Sequence, residues 1–422
     1  MKYFIADVLT SLSIVLCLSS QSATAQLRYD QEYPAVGYST AAASDPMSRL
    51  LAKIDGGQRS LEYREPRGYL DDLLAALDID PSTQILVFSK TSLKLRFITA
   101  ATPRAVYFND SVYVAWIQGS SSVEIAAMDP NLGPVFYVLT RSPEGLPETE
   151  RVMNRCLRCH DSYGLSGGGV PRFLMSSNLV DADGEIVTHE QSQITDARTP
   201  LAERWGGWYV SGRHGSQTHL GNLVIRDPAM LSHPDVSKTG NITDLSSLLN
   251  IAPYLSPHSD IVALLVVEHQ IAVQNLLTRL NFEARTLLAD NDAERDPDAA
   301  IAELSEPLVR ALLMVDEAPL NDRISGTSGF SEYFQRLGPR DSQGRSLREL
   351  DLVSRTFRYP LSYLVYSEAF AALPQVVRQQ VYARLHEELA AGAFAARFSH
   401  ISAADKAATL AIVKDTLPDF PR

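Results

Sequence analysis

The stretch with the most specific chemistry is Cys156-Leu157-Arg158-Cys159-His160. Two thiols separated by two residues lie on one helical turn, a spacing that lets both reach the two vinyl groups of a haem and form two thioether bonds. An imidazole directly after the second cysteine then projects beneath the macrocycle as the proximal ligand to iron. The pattern predicts one covalent haem c, with Cys156 and Cys159 as attachment points and His160 on the metal. A disulfide or a zinc site is the alternative for such a pair. Zinc needs two further ligands, for which His214 and His219 are available. A thioredoxin-like dithiol wants a strand before it and a helix after it, whereas a glycine-rich loop from Gly164 to Gly169 follows here.

The far side of the iron needs its own candidates. Methionine is the usual distal ligand in small c-type cytochromes, which nominates Met175, with Gly167, Gly168 and Gly169 able to supply a tight bend on the way. Packing against the haem edge or the core is the plainer role for Met175, and Met230 has a weaker case. Histidine is the other solution. His214 and His219 lie in a segment where glycines permit close backbone approach, Trp205 and Trp208 offer broad apolar walls, and Arg198, Arg204 and Arg213 are suited to haem propionates. His269 falls by helical spacing among Leu265, Val273 and Leu276, so it is either a distal ligand or a core histidine bonded to backbone or carboxylate.

The compartment agrees with this chemistry. Lys2, the apolar run from Val8 to Leu18 and Ala23-Thr24-Ala25 read as a signal peptide over residues 1–25, too short in its apolar part for a permanent anchor. Lipidation at Cys17 is disfavoured by the bulky Leu16. Export to a periplasm is expected, with no transmembrane anchor once the leader is cleaved. Of the three cysteines in the 422-residue chain, Cys17 lies in that leader, so Cys156 and Cys159 are the only thiols of the mature protein. The formal charge of −12 survives cleavage because Lys2 and Asp7 cancel. So acidic a chain repels phosphate backbones, and nucleic acid is not an expected partner.

These residues need elements to position them, and the patterning predicts an α+β fold. Residues 26–150 read as an N-terminal α+β region: a polar linker to about Arg67, a short helix over Tyr69 to Leu77, then antiparallel strands. Val106 to Phe108 and Val112 to Trp116 flank Asn109-Asp110 as a hairpin, and Val123 to Met128 with Val135 to Leu139 flank Asp129-Pro130-Asn131-Leu132-Gly133 as a second. Residues 151–250 are loop-rich and hold the haem motif. Residues 251–422 turn helical, with a long amphipathic pattern from Ser259 and further helices expected near 301–315, 346–372, 374–391 and 402–416.

Most of the mature chain also resembles a group of exported bacterial proteins described as cytochrome c domain proteins, which combine one haem motif with recurring segments. Here those segments are Pro103 through Asp110, Asp129-Pro130 through Tyr137, Arg204 through His219, and Glu268-His269-Gln270. The resemblance implies haem and export without naming a substrate. The chain departs from simple cytochromes in its length and in lacking a clear distal methionine. Three functions are therefore expected in order: electron transfer to a redox partner protein; a haem enzyme or small-ligand sensor with an open, peroxidase-like distal side; and a binding module with haem as a structural core. Dihaem peroxidases need a second attachment motif, which this chain lacks.

Overall fold

The computed structural model describes residues 32–140, 147–189, 192–231, 234–290, 296–390 and 401–422. The leader, Cys17, His233 and His400 lie outside the described residues. The fold is α+β, with a six-stranded antiparallel sheet and a mostly helical C-terminal half.

The sheet is a simple meander: β1 Ile85–Val87, β2 Arg104–Phe108, β3 Val112–Trp116, β4 Ser122–Asp129, β5 Gly133–Thr140 and β6 Glu148–Arg151, in that spatial order. Both predicted hairpins form. Asn109 turns the first by accepting from the Ser111 and Val112 N–H groups at 2.9 Å. Asp129 turns the second by accepting from Asn131 and Leu132. Gly133 there takes φ +68° and lies where a Cβ would meet Thr278 at 2.2 Å, so glycine is needed twice over.

The two faces of the sheet serve different cores. Tyr107, Val112, Val114, Ile125 and Val135 join one hydrophobic core with α1 (Pro46–Asp55) and α2 (Leu70–Ala76). Pro46–Asp55, within the stretch read from the sequence as a linker, is thus a packed helix. Asp45 caps α1 by accepting from Met47 and Ser48 and also accepts from the Tyr137 hydroxyl at 2.6 Å, tying the helix to β5. Phe108, Tyr113 and Met128 face the other core, which is built on α5.

After α3 (Asn154–His160) and α4 (Tyr163–Ser166), a two-stranded ribbon pairs β7 (Ser176–Ser177) with β8 (Gln193–Ile194). Helix α5, Ile261–Ala289, has 29 residues and is therefore roughly 44 Å long. By length and composition it is apolar enough to cross a membrane, but 83% of its most apolar window is buried inside the protein. Two of its buried polar residues, Gln270 and Gln274, face the sheet. Gln270 donates to the Asn109 carbonyl and the Tyr113 hydroxyl, and Gln274 donates to the Asp110 carbonyl while accepting from Tyr113. Around it lie α6 (Pro297–Leu312), α7 (Phe330–Arg336), α8 (Glu368–Ala371), α9 (Gln375–Ala390) and α10 (Ala403–Thr416). The helix expected over 346–372 is a correction: only α8 and a 3-10 turn at Tyr363–Tyr366 are regular there. Its apolar residues, among them Leu347, Phe357 and Leu361, are buried from irregular backbone, and Pro360 interrupts any helical ladder.

Candidate haem-attachment site

The two turns of α3 put Cys156 and His160 four residues apart on one side of the helix, with Cys159 one turn on from Cys156. Leu157 is fully buried and anchors the helix against the sheet side. Both thiols are unbridged, Cys156 partly exposed and Cys159 exposed. Burial pushes the Cys156 thiol up to about 12, and the Glu124 carboxylate adds to the effect. That is the opposite of the lowered pKa on which a redox dithiol depends.

His160 packs its ring on Phe136, centroid to centroid 4.5 Å. Its Nδ1 lies 2.7 Å from the Arg172 carbonyl oxygen. A carbonyl only accepts, so Nδ1 carries the proton and Nε2 is left with its lone pair. The Arg172 N–H returns a bond to the His160 carbonyl at 2.8 Å. Burial holds the imidazole down to about 4, against the opposing carbonyl, so it is neutral at physiological pH. Among the described residues nothing hydrogen-bonds Nε2. A neutral imidazole with one nitrogen fixed by backbone and the other free is what a metal-ligating histidine requires. Two free thiols one turn apart beside it complete a donor set that fits haem c.

The chain returns to His160 through Gly167, Gly168 and Gly169, all with left-handed φ (+75°, +62° and +83°). This bend lays residues 170–175 as a strap behind the imidazole. Helix α5 fixes the strap: the Asn275 side chain accepts from the Phe173 N–H at 2.8 Å and donates to its carbonyl at 2.9 Å, and Arg279 donates to the Gly168 carbonyl at 2.8 Å. Phe136, Arg172, Asn275 and Arg279 were not singled out from the sequence. The glycine triplet signals the bend, but nothing in the sequence signals the partners more than a hundred residues away.

The other nominated residues lie elsewhere. Met175 is buried in the α5 core, on the strap that backs Nδ1, and its carbonyl accepts from Thr195. The segment from Trp205 to Ser211 runs beside β1, where Phe88 and Ser89 donate to the Gly207 carbonyl and Tyr209 donates to Leu86. That edge is four strands from β5, on the order of 19 Å from Phe136. Trp205 and Trp208 are core residues there, and the Trp208 indole donates to the Ser176 carbonyl. Arg204 is buried and spends its donors on Glu268 at 2.8 Å and on the Thr199 and Ala197 carbonyls. Arg198 is exposed on Asp196, and Arg213 is exposed while its backbone exchanges hydrogen bonds with Ser325.

His214 and His219 face each other, centroids 4.7 Å apart, with Trp205 against His219 at 5.5 Å. The Asn241 N–H donates to His214 Nε2, and burial pushes His219 down to about 3. His269 has both nitrogens engaged, Nδ1 with Glu317 at 2.5 Å and Nε2 with Ser362 at 2.7 Å. The Glu317 carboxylate accepts from Nδ1, and the Ser362 hydroxyl, which also accepts from the Leu364 N–H, bonds Nε2. This Glu–His–Ser chain borders a cavity of about 390 Å³ between α5 and α6, lined also by Arg172, Leu276, Arg310 and Met314. Ser362 is fully buried and is not among the cavity's lining residues.

Comparison of the chain with protein-family models, with curated proteins and with solved structures finds no match.

Proposed function

We propose that this is an exported, periplasmic protein that carries one haem c on Cys156, Cys159 and His160 and passes single electrons to a partner protein. The observation that carries the reading is the backbone clamp on His160, which fixes the proton on Nδ1 and presents Nε2. When bound there, the group supplies a one-electron couple whose potential the surrounding residues set. Phe136 and the strap fix the ring plane, and Asn275 and Arg279 fix the strap. Cys159, Tyr163 and Leu165 are exposed, so the attachment edge is open to a docking partner. The test is a visible spectrum of protein made in a haem-maturing periplasm, followed by stopped-flow exchange with a small cytochrome. Covalent haem that exchanges electrons supports the reading; haem that is bound but inert to the partner contradicts it.

A second reading, a haem enzyme or small-ligand sensor with an open distal side, is favoured by one observation. Met175 lies behind the imidazole, His269 has both nitrogens occupied, and His214 and His219 pair with each other beside Trp205. Rapid binding of carbon monoxide to the reduced protein supports this second reading, and a six-coordinate spectrum unmoved by carbon monoxide removes it.

A further inference from the structure

Arg104 is a partly buried cation whose hydrogen bonding is incomplete. Its side chain is 15% exposed, and among the described residues its hydrogen bonds run through one nitrogen, Nη1, which reaches the Thr91 carbonyl at 3.4 Å and Glu124 at 3.5 Å. Both lie at the long limit of a hydrogen bond. Nε is sealed from solvent and has no partner among the described residues. A guanidinium offers its Nε–H and Nη2–H as a parallel pair, the edge that grips a carboxylate in bidentate fashion. On Arg104 that edge is unused. Leaving a buried charged donor unmet is costly, so the position points to an anion.

The sheet register puts this cation on the haem-motif side. Val106, Ala115, Glu124 and Val138 are cross-strand neighbours in one row. Residues two apart on a strand share a face, so Arg104 and Phe136, the ring under His160, lie on the same face of the sheet. Between them that face carries the small apolar side chains Val106, Ala115, Ala126 and Val138 together with Tyr113 and Glu124. Ser92 donates to Glu124 at 2.9 Å and holds it aside.

We infer that Arg104 binds a haem propionate through its Nε/Nη2 edge, a role its own geometry suits better than that of Arg198, Arg204 or Arg213. This rests on the haem reading above. Removing a partly buried cation beside the cofactor disfavours the reduced, less positive state, and a roughly tenfold drop in the reduction equilibrium constant is expected.

The experiment uses the holoprotein. Covalent haem content is checked first, then the resonance Raman propionate bending band and the midpoint potential are compared for wild type, Arg104→Gln, Arg104→Lys, Glu124→Gln and the Arg104→Gln/Glu124→Gln double variant. The inference expects the propionate band to move and the potential to fall in Arg104→Gln, with partial recovery in Arg104→Lys. It expects the band to stay moved in the double variant and to stay put in Glu124→Gln. A loaded Arg104→Gln protein with an unmoved band overturns the assignment and leaves the haem reading standing. A potential restored in the double variant with the band unmoved assigns the effect to Glu124 and also overturns it. Wild type without covalent haem overturns both.

Discussion

At His160 the backbone decides which nitrogen is free, and that decision is made by a carbonyl twelve residues on, held in turn by a side chain on α5. Asn275 is the keystone of this arrangement because it meets both the donor and the acceptor of Phe173. Asn275→Ala leaves two backbone groups without their partner, and a loss of about 1–3 kcal/mol is expected in urea unfolding. Faster hydrogen exchange at the Phe173 amide is the local sign, whereas unchanged exchange there contradicts the clamp. A second buried group titrates in the opposite sense to a surface acid. Burial raises Glu268 from 4.5 to about 7, outweighing the pull of Arg204. The native state therefore keeps a proton that the unfolded chain releases near pH 4.5. The associated stability is fully present below that pH and is lost as pH rises through about 7, in all roughly 3 kcal/mol. Stability curves of Glu268→Gln measured from pH 4.5 to 7.5 should be flatter than those of wild type. An equally steep curve removes Glu268 as the cause.

Among the elements, the hairpins and α5 were legible in the sequence, and for physical reasons. Asn109-Asp110 between β-branched and aromatic runs specifies a turn, and the length and period of the 261–289 pattern leave only a helix. Helix α1 went unread although Met47, Leu50, Leu51 and Ile54 fall at helical spacing behind the Asp45-Pro46 start signal, because the surrounding stretch is polar and mixed. The stretch 346–372 misled for the reverse reason: its apolar residues fall near helical spacing while loops and Pro360 bury them. The CxxCH motif was legible because its chemistry is local. The uses of Arg204 and His214 were not, since each depends on a partner far along the chain; for His269 the carboxylate-bonded core role was legible, but not that Glu317 would supply the carboxylate. The position of α5 is set at its start by Asp260, whose carboxylate accepts from the Val262, Thr327 and Ser328 N–H groups and from the Ser328 hydroxyl. Asp260→Ala is expected to cost about 2–4 kcal/mol, read as a lower urea midpoint at unchanged slope. Asp260→Asn, which keeps one oxygen, should recover part of it.

For the whole molecule, two cores meet across the sheet, and α5 contributes to both, with Phe282 in one and Ile261 to Ala284 in the other. The segments read from sequence as 26–150, 151–250 and 251–422 all supply residues to them. The CxxCH motif therefore sits on a scaffold drawn from all three segments, and the strap behind His160 is tied to α5 through Asn275 and Arg279. The formal charge of −12 adds a long-range effect. In the electron-transfer reading, exchange with a basic small cytochrome should slow as ionic strength rises from 10 to 200 mM, roughly the range over which the Debye length falls from about 30 to 7 Å. A salt-independent rate points to an uncharged docking surface. A haem c on Cys156 and Cys159 requires that the polypeptide carry its cofactor through carbon–sulfur bonds. Protein from a haem-maturing host, denatured and extracted with acid acetone, is expected to stay coloured and to weigh one haem more than the bare chain, with Cys156→Ala/Cys159→Ala losing both properties. Colourless wild-type material at the mass of the bare chain contradicts it.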